Sequence, residues 1–250
     1  MLGDCGAPGS GPTLVCVGGL HGNEPSGVLA LRRVFEKVRT ERLVLHGRFV
    51  GVAGNLSALA AGRRYLSYDL NRIWWRARVD RIRRAVGALA PEEEELRTLD
   101  VLFDRLKREA AGQLWFIGLH STSGPTPPFV TVEDNLLNRR FASEFPAPHV
   151  LGLEEELVGT LEGYLSGQGV ITVGFEAGRH DDPASVDRAE AAVWIALEAS
   201  GVLLPGRRTE VARQLLAASG QKLPRVVEVR HRHPVVEGDG FRMLPGLEGF

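Results

Sequence analysis

Along the chain, short β-branched apolar runs that stop at glycines alternate with longer stretches whose apolar residues recur at helical spacing. The first run, TLVCVGG from Thr13 to Gly19, is continuously apolar and suits a strand buried on both faces. A helix is predicted next. Pro25 suits its first turn, and Val28, Leu29, Leu31, Val34 and Phe35 keep approximately helical spacing through Val38. RFVGVAGN, Arg48 to Asn55, reads as the second strand, and residues 56–84 read as loop and helix pieces.

The stretch PEEEELRTLDVLFDRLKREAAG begins with Pro91 and places four acids where the helix dipole favours negative charge. Its apolar residues Leu96, Leu99, Leu102, Phe103 and Leu106 complete a helical pattern. LWFIGLHSTSG, Leu114 to Gly124, and GVITVGFEAG, Gly169 to Gly178, are strands that run into small polar tips. DPASVDRAEAAVWIALEASG is a helix opened by Asp182 and Pro183 and stopped by Gly201. Such alternation over roughly residues 10–205 predicts an α/β layered domain with a mostly parallel or mixed sheet. LLPGRR, Leu203 to Arg208, marks a boundary, followed by a short helix and by PRVVEVRHRHPVV, Pro224 to Val236, with strand character.

With 250 residues, 44% of them hydrophobic, the chain can bury a sizeable core. Thirty basic residues against 31 acidic ones give a net charge of −1, so no global field draws it to nucleic acid or an anionic membrane, and neither is expected as a partner. The densest basic run, Asn71 to Arg84, is followed at once by PEEEE and predicts a solvated, salt-bridged face, with a binding patch as the alternative. Cys5 and Cys16 are too few for a disulfide framework. The opening MLGDCGAPGSGP lacks the features of a signal peptide, and no apolar stretch reaches about 18 residues. A cytoplasmic protein is expected.

Four polar clusters fall at the ends of predicted elements: His21 with Glu24, the run Tyr68 to Arg72, His120, and Glu176. Polar residues at strand ends are where such sheets bind ligands. A hydrolytic zinc takes about three protein ligands and keeps one position open, and two imidazoles with one carboxylate would supply them. His-x-x-Glu presents both of its ligands from a single turn, although a capped helix start with a solvent-facing acid fits the same residues. Glu176 should point to the face opposite Phe175, where burial would raise its pKa toward the range of a general base; a capping or salt-bridged glutamate is the alternative. Arg64, Asn71 and Arg72 could hold a carboxylate, and a fixed cation could meet a developing oxyanion.

GGLHGNEPSG, GNLSALAAGRRYLSYDLNRIW, LHSTSG and VGFEAG, in this order and at these separations, resemble the succinylglutamate desuccinylase/aspartoacylase family, a branch of the zinc carboxypeptidase-like hydrolases, over about residues 13–200. The resemblance implies a three-layer zinc-carboxypeptidase-like α/β domain with a mixed central sheet in residues 1–205. It also implies the start of a C-terminal β-rich domain in residues 206–250, with HPVVEGDGFRMLPGLEGF similar to its beginning and the appendage either shortened or cut off early. By the same resemblance His21, Glu24 and His120 bind one zinc per chain, and Glu176 activates the hydrolytic water and later protonates the leaving amine. Arg64 would polarise the scissile carbonyl, and Asn71 and Arg72 would hold a substrate carboxylate. Gly18, Gly19 and Gly22 would allow the turn that offers both ligands to one ion.

The chain departs from the family pattern in two places. Asp-Leu-His is common at the third ligand, whereas this chain has Gly118, Leu119 and His120, so a partner for the outer nitrogen of His120 must come from elsewhere or be water. The region before Glu176 offers Tyr164 but no arginine to contact an acidic acyl group, and Arg179 or His180 just after it could replace that contact. The expected activity is zinc-dependent hydrolysis of an N-acylated amino acid or similar small amide. A peptide-cleaving carboxypeptidase and a non-catalytic zinc-binding homologue are the alternatives. Oligomeric state is left open, with a homo-oligomer allowed.

Overall fold

The strand β2 (Thr13–Gly18) is buried along its whole length, and its alternation divides the protein in two: Leu14 and Cys16 enter one core, Val15 and Val17 the other. The structure is a computed structural model and describes residues 1–220, 223–232, 234–236, 238–242 and 244. Around β2 the described residues form a mixed eight-stranded sheet in the order β1-β3-β2-β4-β7-β5-β6-β8. These strands are β1 (Gly3–Cys5), β3 (Arg48–Ala53), β4 (Leu114–Thr122), β5 (Phe129–Thr131), β6 (His149–Leu151), β7 (Ile171–Arg179) and β8 (Val226–Glu228). The central strands β3, β2, β4 and β7 run parallel, whereas β1 and β5 pair antiparallel with β3 and β7.

Helices cover both faces, which makes three layers. On one face lie α1 (Ser26–Thr40), α5 (Leu136–Ser143) and α8 (Ala184–Ala199), whose Leu31, Phe141 and Ile195 pack on the Leu14 side of the sheet. On the other lie α3 (Arg76–Arg84), α4 (Pro91–Glu109) and α7 (Leu161–Ser166), with Ile82, Phe103 and Leu165 against Val15 and Phe116. Of the apolar positions predicted for α4, Leu96, Leu99, Phe103 and Leu106 are buried and Leu102 is partly buried.

Two expectations change. The acids opening α4 are not simply a solvated face: Glu92 is fully buried and accepts the backbone N–H groups of Leu66, Ser67 and Tyr68 at 2.6, 3.0 and 3.2 Å. Glu93 instead pairs with Arg78 and Arg81, and Arg83 pairs with Asp100 and Asp104, so the predicted salt bridges do form. The strand read over Pro224–Val236 shortens to β8, because among its described residues only the first find a ladder partner, in β6. Residues from 206 onward contribute α9 (Arg207–Ser219), which packs its Ala212 and Leu216 into the core shared with α8, and β8, the edge strand of the same sheet. The stretch compared with the start of a β-rich domain lies partly outside the described residues, and among those described after Glu228 no strand occurs. Short pieces between residues 125 and 168, including β5, β6, α5, α6 (Leu153–Glu156) and α7, had no counterpart in the sequence reading; each is too brief to show a period. Among the described residues no helix is long and apolar enough to cross a membrane.

Candidate active site

The carboxyl ends of β2, β4 and β7 converge, and each delivers one part of the site. After β2 the chain turns at Gly19, whose φ of +69° favours a residue without Cβ. Gly22 is needed for a different reason, since a Cβ there would lie 2.1 Å from the backbone of Ala58. The turn closes with the Glu24 N–H donating to the His21 carbonyl at 3.1 Å, so both side chains leave one short loop just before α1. On the neighbouring strands, parallel register sets His120 of β4 beside Glu176 of β7, and the register shifts just beyond them. Both residues are held by strands rather than by loops.

The three candidate ligands meet through one carboxylate. His21 Nδ1 lies 2.8 Å from Glu24 Oε1, and His120 Nδ1 lies 3.1 Å from Glu24 Oε2. All three donor atoms fall within 4.8 Å of one another, and all three residues are buried. A tetrahedral ion with bonds of about 2.1 Å needs donors separated by about 3.4 Å, so this group fits a zinc-type ion. The outer nitrogens of both rings also face carboxylates: His21 Nε2 is 3.0 Å from Asp69 Oδ1, and His120 Nε2 is 3.4 Å from Glu162 Oε1. At His120 a carboxylate so placed favours the tautomer that leaves Nδ1 free for a ligand, whereas at His21 the Arg64 Nη2 also approaches Nε2, at 2.9 Å.

Charge in the cluster is strongly coupled. Burial opposes ionisation of Glu24, but the imidazoles of His120 and His21 outweigh it and hold the carboxyl well below its usual range. Burial likewise opposes protonation of His120, and Glu162 with Glu24 overcomes it, so its pKa rises. The Glu176 carboxyl is pushed up to about 7, chiefly by burial, with Glu24 and Glu162 adding to the effect and His120 opposing it. Its Oε2 is sheltered from solvent and accepts no hydrogen bond, so it neither caps a helix nor joins a salt bridge among the described residues.

These residues line a cavity of about 390 Å³ together with Arg64, Asn71, Arg72, Ser121, Thr131, Glu154 and His180. Arg64 donates to Asp69 Oδ2 through Nε and Nη2 at 3.2 and 3.0 Å, and its Nη1 stands 3.4 Å from Glu24. Arg72 borders the cavity with its Nη1 on the Asn71 carbonyl. Asn71 is buried, and its amide is largely committed to the protein: Oδ1 accepts from the Leu161 N–H at 2.7 Å and Nδ2 donates to Glu162 at 3.2 Å.

Tyr164 and Arg179 are not brought to this cavity. The Tyr164 hydroxyl donates to Asp100 at 3.1 Å and its ring lies against Trp74, because it sits on the side of α7 that faces a neighbouring cavity of about 580 Å³. Arg179, one position past the last inward residue of β7, is exposed and pairs with Asp181. His180 does reach the cavity, 2.8 Å from Ser121 Oγ. Sequence reasoning missed Asp69, although it lies within the polar run Tyr68–Arg72, and missed Glu154 and Glu162. The only signal for Glu162 was the glycine at 118 in place of the common acid, which left the partner of His120 to come from elsewhere or to be water.

A three-layer α/β domain with His-x-x-Glu, a second histidine and a buried glutamate at the ends of parallel strands has the architecture of a zinc carboxypeptidase-like hydrolase. The model of the succinylglutamate desuccinylase/aspartoacylase catalytic domain matches residues 10–197, and the chain belongs to this family of deacylating hydrolases. Succinylglutamate desuccinylase of Burkholderia pseudomallei is 30% identical over 103 residues, 41% of this chain and 29% of that protein. That of Pseudomonas aeruginosa is 35% identical over 69 residues, 28% of this chain and 21% of that protein. The matches thus span less than a third of these relatives. The fold is shared with the succinylglutamate desuccinylase of Chromobacterium violaceum (TM-score 0.63, 17% identity, 76% of this chain and 61% of that one). It is shared too with the product-bound ectoine utilization protein EutE (DoeB) of Ruegeria pomeroyi (TM-score 0.61, 23% identity, 88% and 62%).

Proposed function

We propose that this chain is a zinc-dependent deacylase that hydrolyses the amide bond of an N-acylated amino acid or a similar small amide in the cytoplasm. The observation that carries the reading is the juxtaposition of His120 and Glu176 on adjacent parallel strands, with the His21–Glu24 turn against them. His21, Glu24 and His120 would hold the zinc, which when bound supplies Lewis acidity and lowers the pKa of water.

The protein's own groups account for the remaining steps. Glu176, with a free Oε2 and a pKa near neutrality, takes the proton of the attacking water and returns it to the leaving amine. Arg64, about 41% exposed at its side chain, turns its guanidinium toward the cavity and stabilises the oxyanion. Arg72 offers the more available fork for a substrate carboxylate, since Arg64 is shared with Asp69 and Glu24. Asn71 acts through its hold on Glu162 more than through substrate.

The cavity also bears on the acyl group. Glu154 and Glu162 line it, Glu154 Oε2 has no partner, and among the described lining residues the arginines are Arg64 and Arg72. An acyl chain ending in a carboxylate would meet like charge at Glu162, and at Glu154 as well once pH passes the value of about 7 to which burial and Glu162 raise it, so an uncharged acyl group is favoured.

Elemental analysis of the purified chain and of His21→Ala tests the reading, followed by a panel of N-acyl amino acids. About one zinc per chain, lost in the variant, with release of a free amine from the panel, is the expected result. A chain that takes up no zinc on reconstitution would overturn it.

A further inference from the structure

His120 Nε2 and Glu162 Oε1 are both buried, and each lacks a hydrogen-bond partner of good geometry except that they face each other at 3.4 Å. Two sheltered polar atoms in that relation each cost free energy unless they serve one another. The backbone beneath them explains how they meet. Gly118 lies two residues before His120 on β4 and therefore on the same face of the sheet. A Cβ built on Gly118 would stand 2.0 Å from Glu162 Oε1 and 3.4 Å from His120 Nε2. Glu162 thus occupies the space a side chain at 118 would take.

The carboxylate is fixed from its other side. Asn71 Nδ2 donates to Glu162 Oε2 at 3.2 Å, and Asn71 Oδ1 accepts the N–H of Leu161, which locks the first turn of α7 to the segment carrying Asp69. Asp69 holds the outer nitrogen of His21 at 3.0 Å from that same segment. One stretch of chain therefore positions the partner carboxylates of both imidazoles, directly through Asp69 and by way of Asn71 for Glu162.

We propose that Glu162 is the positioning residue for His120: it accepts the Nε2 proton, turns Nδ1 toward Glu24 and His21, and reaches that place only because position 118 is glycine. The proposal rests on the zinc reading of the site. A histidine ligand whose outer N–H is held by a carboxylate binds metal more tightly, typically by about 10- to 100-fold.

The test moves the carboxylate instead of merely deleting it. Zinc affinity is measured by competition with a chromogenic chelator for the wild type, Glu162→Ala, Gly118→Asp and the double variant, and the Co2+ absorption spectrum of each reports ligand geometry. Glu162→Ala should weaken binding by about 10- to 100-fold. Gly118→Asp alone should weaken it as well, because two carboxyl groups compete for one space. The double variant should recover to within about threefold of the wild type, a coupling that a merely structural role for Glu162 would not produce. Wild-type affinity in Glu162→Ala, or a double variant no tighter than Glu162→Ala, overturns the proposal while leaving the zinc site standing. A wild type that binds no zinc overturns both. If Gly118→Asp fails to fold, Glu162→Gln decides in its place: it keeps an acceptor without the charge, and binding no tighter than in Glu162→Ala rejects the assignment.

Discussion

Replacing Glu176 by glutamine in the metal-free protein should change not only activity but the way stability depends on pH. The carboxyl is raised from an ordinary 4.5 to about 7, mainly by burial. Between those values the unfolded chain has released the proton and the folded chain keeps it, so the folded state binds more protons and stability falls as pH rises. Above about 7 both states are ionised and the loss is complete. At about 1.4 kcal/mol per pH unit the full contribution is about 3 kcal/mol, and Glu176→Gln carries none of it. Urea unfolding of chelator-treated wild type and Glu176→Gln at pH 5, 6, 7 and 8 measures this. The stability difference in favour of glutamine should grow by about 2 to 3 kcal/mol from pH 5 to pH 8 and level off there. Zinc in the site would favour the ionised carboxylate, so in the loaded protein the same difference should shrink. Turnover in the loaded variant should fall by at least about a hundredfold with zinc retained. A difference that stays constant with pH to within about 0.5 kcal/mol would refute the claim that this carboxyl is held in its neutral form by burial.

Other consequences can be checked separately. Glu92→Ala leaves three backbone N–H groups of the 66–68 loop without their acceptor, and should cost about 3 kcal/mol or more in urea unfolding; a loss below about 1 kcal/mol would mean the loop finds other partners. It should also weaken zinc binding, because Asp69 arrives on that loop. Among N-acyl amino acids, kcat/KM for an acetyl compound should exceed that for its succinyl counterpart by about tenfold or more, given Glu154 and Glu162 in the cavity wall, and a preference for succinyl would show that a cation reaches the acyl group after all.

Part of the site was legible along the chain. His21 and Glu24 are three residues apart, so the spacing alone shows that one turn presents both, and His120 and Glu176 sit at the ends of apolar runs whose strand character is local. Tyr164 shows the opposite case. Its neighbours in sequence do not tell which side of a six-residue helix faces the cavity, and here Glu162 faces it instead.

By itself the sequence determined what depends on neighbouring residues: the buried central strands, the helix begun by Pro91, the His-x-x-Glu turn, and a family pattern strong enough to nominate its ligands. Tertiary structure alone decided what depends on register and on the packing of distant segments. Parallel pairing of β4 with β7 made His120 and Glu176 neighbours. The docking of α7 beside Gly118 supplied the carboxylate that its own strand lacks, Glu162, 44 positions further along the chain, where no local spacing rule reaches. Burial of Glu92 at the start of α4 was settled in the same way, since the loop N–H groups it satisfies come from more than twenty residues upstream and cost too much to leave unpaired.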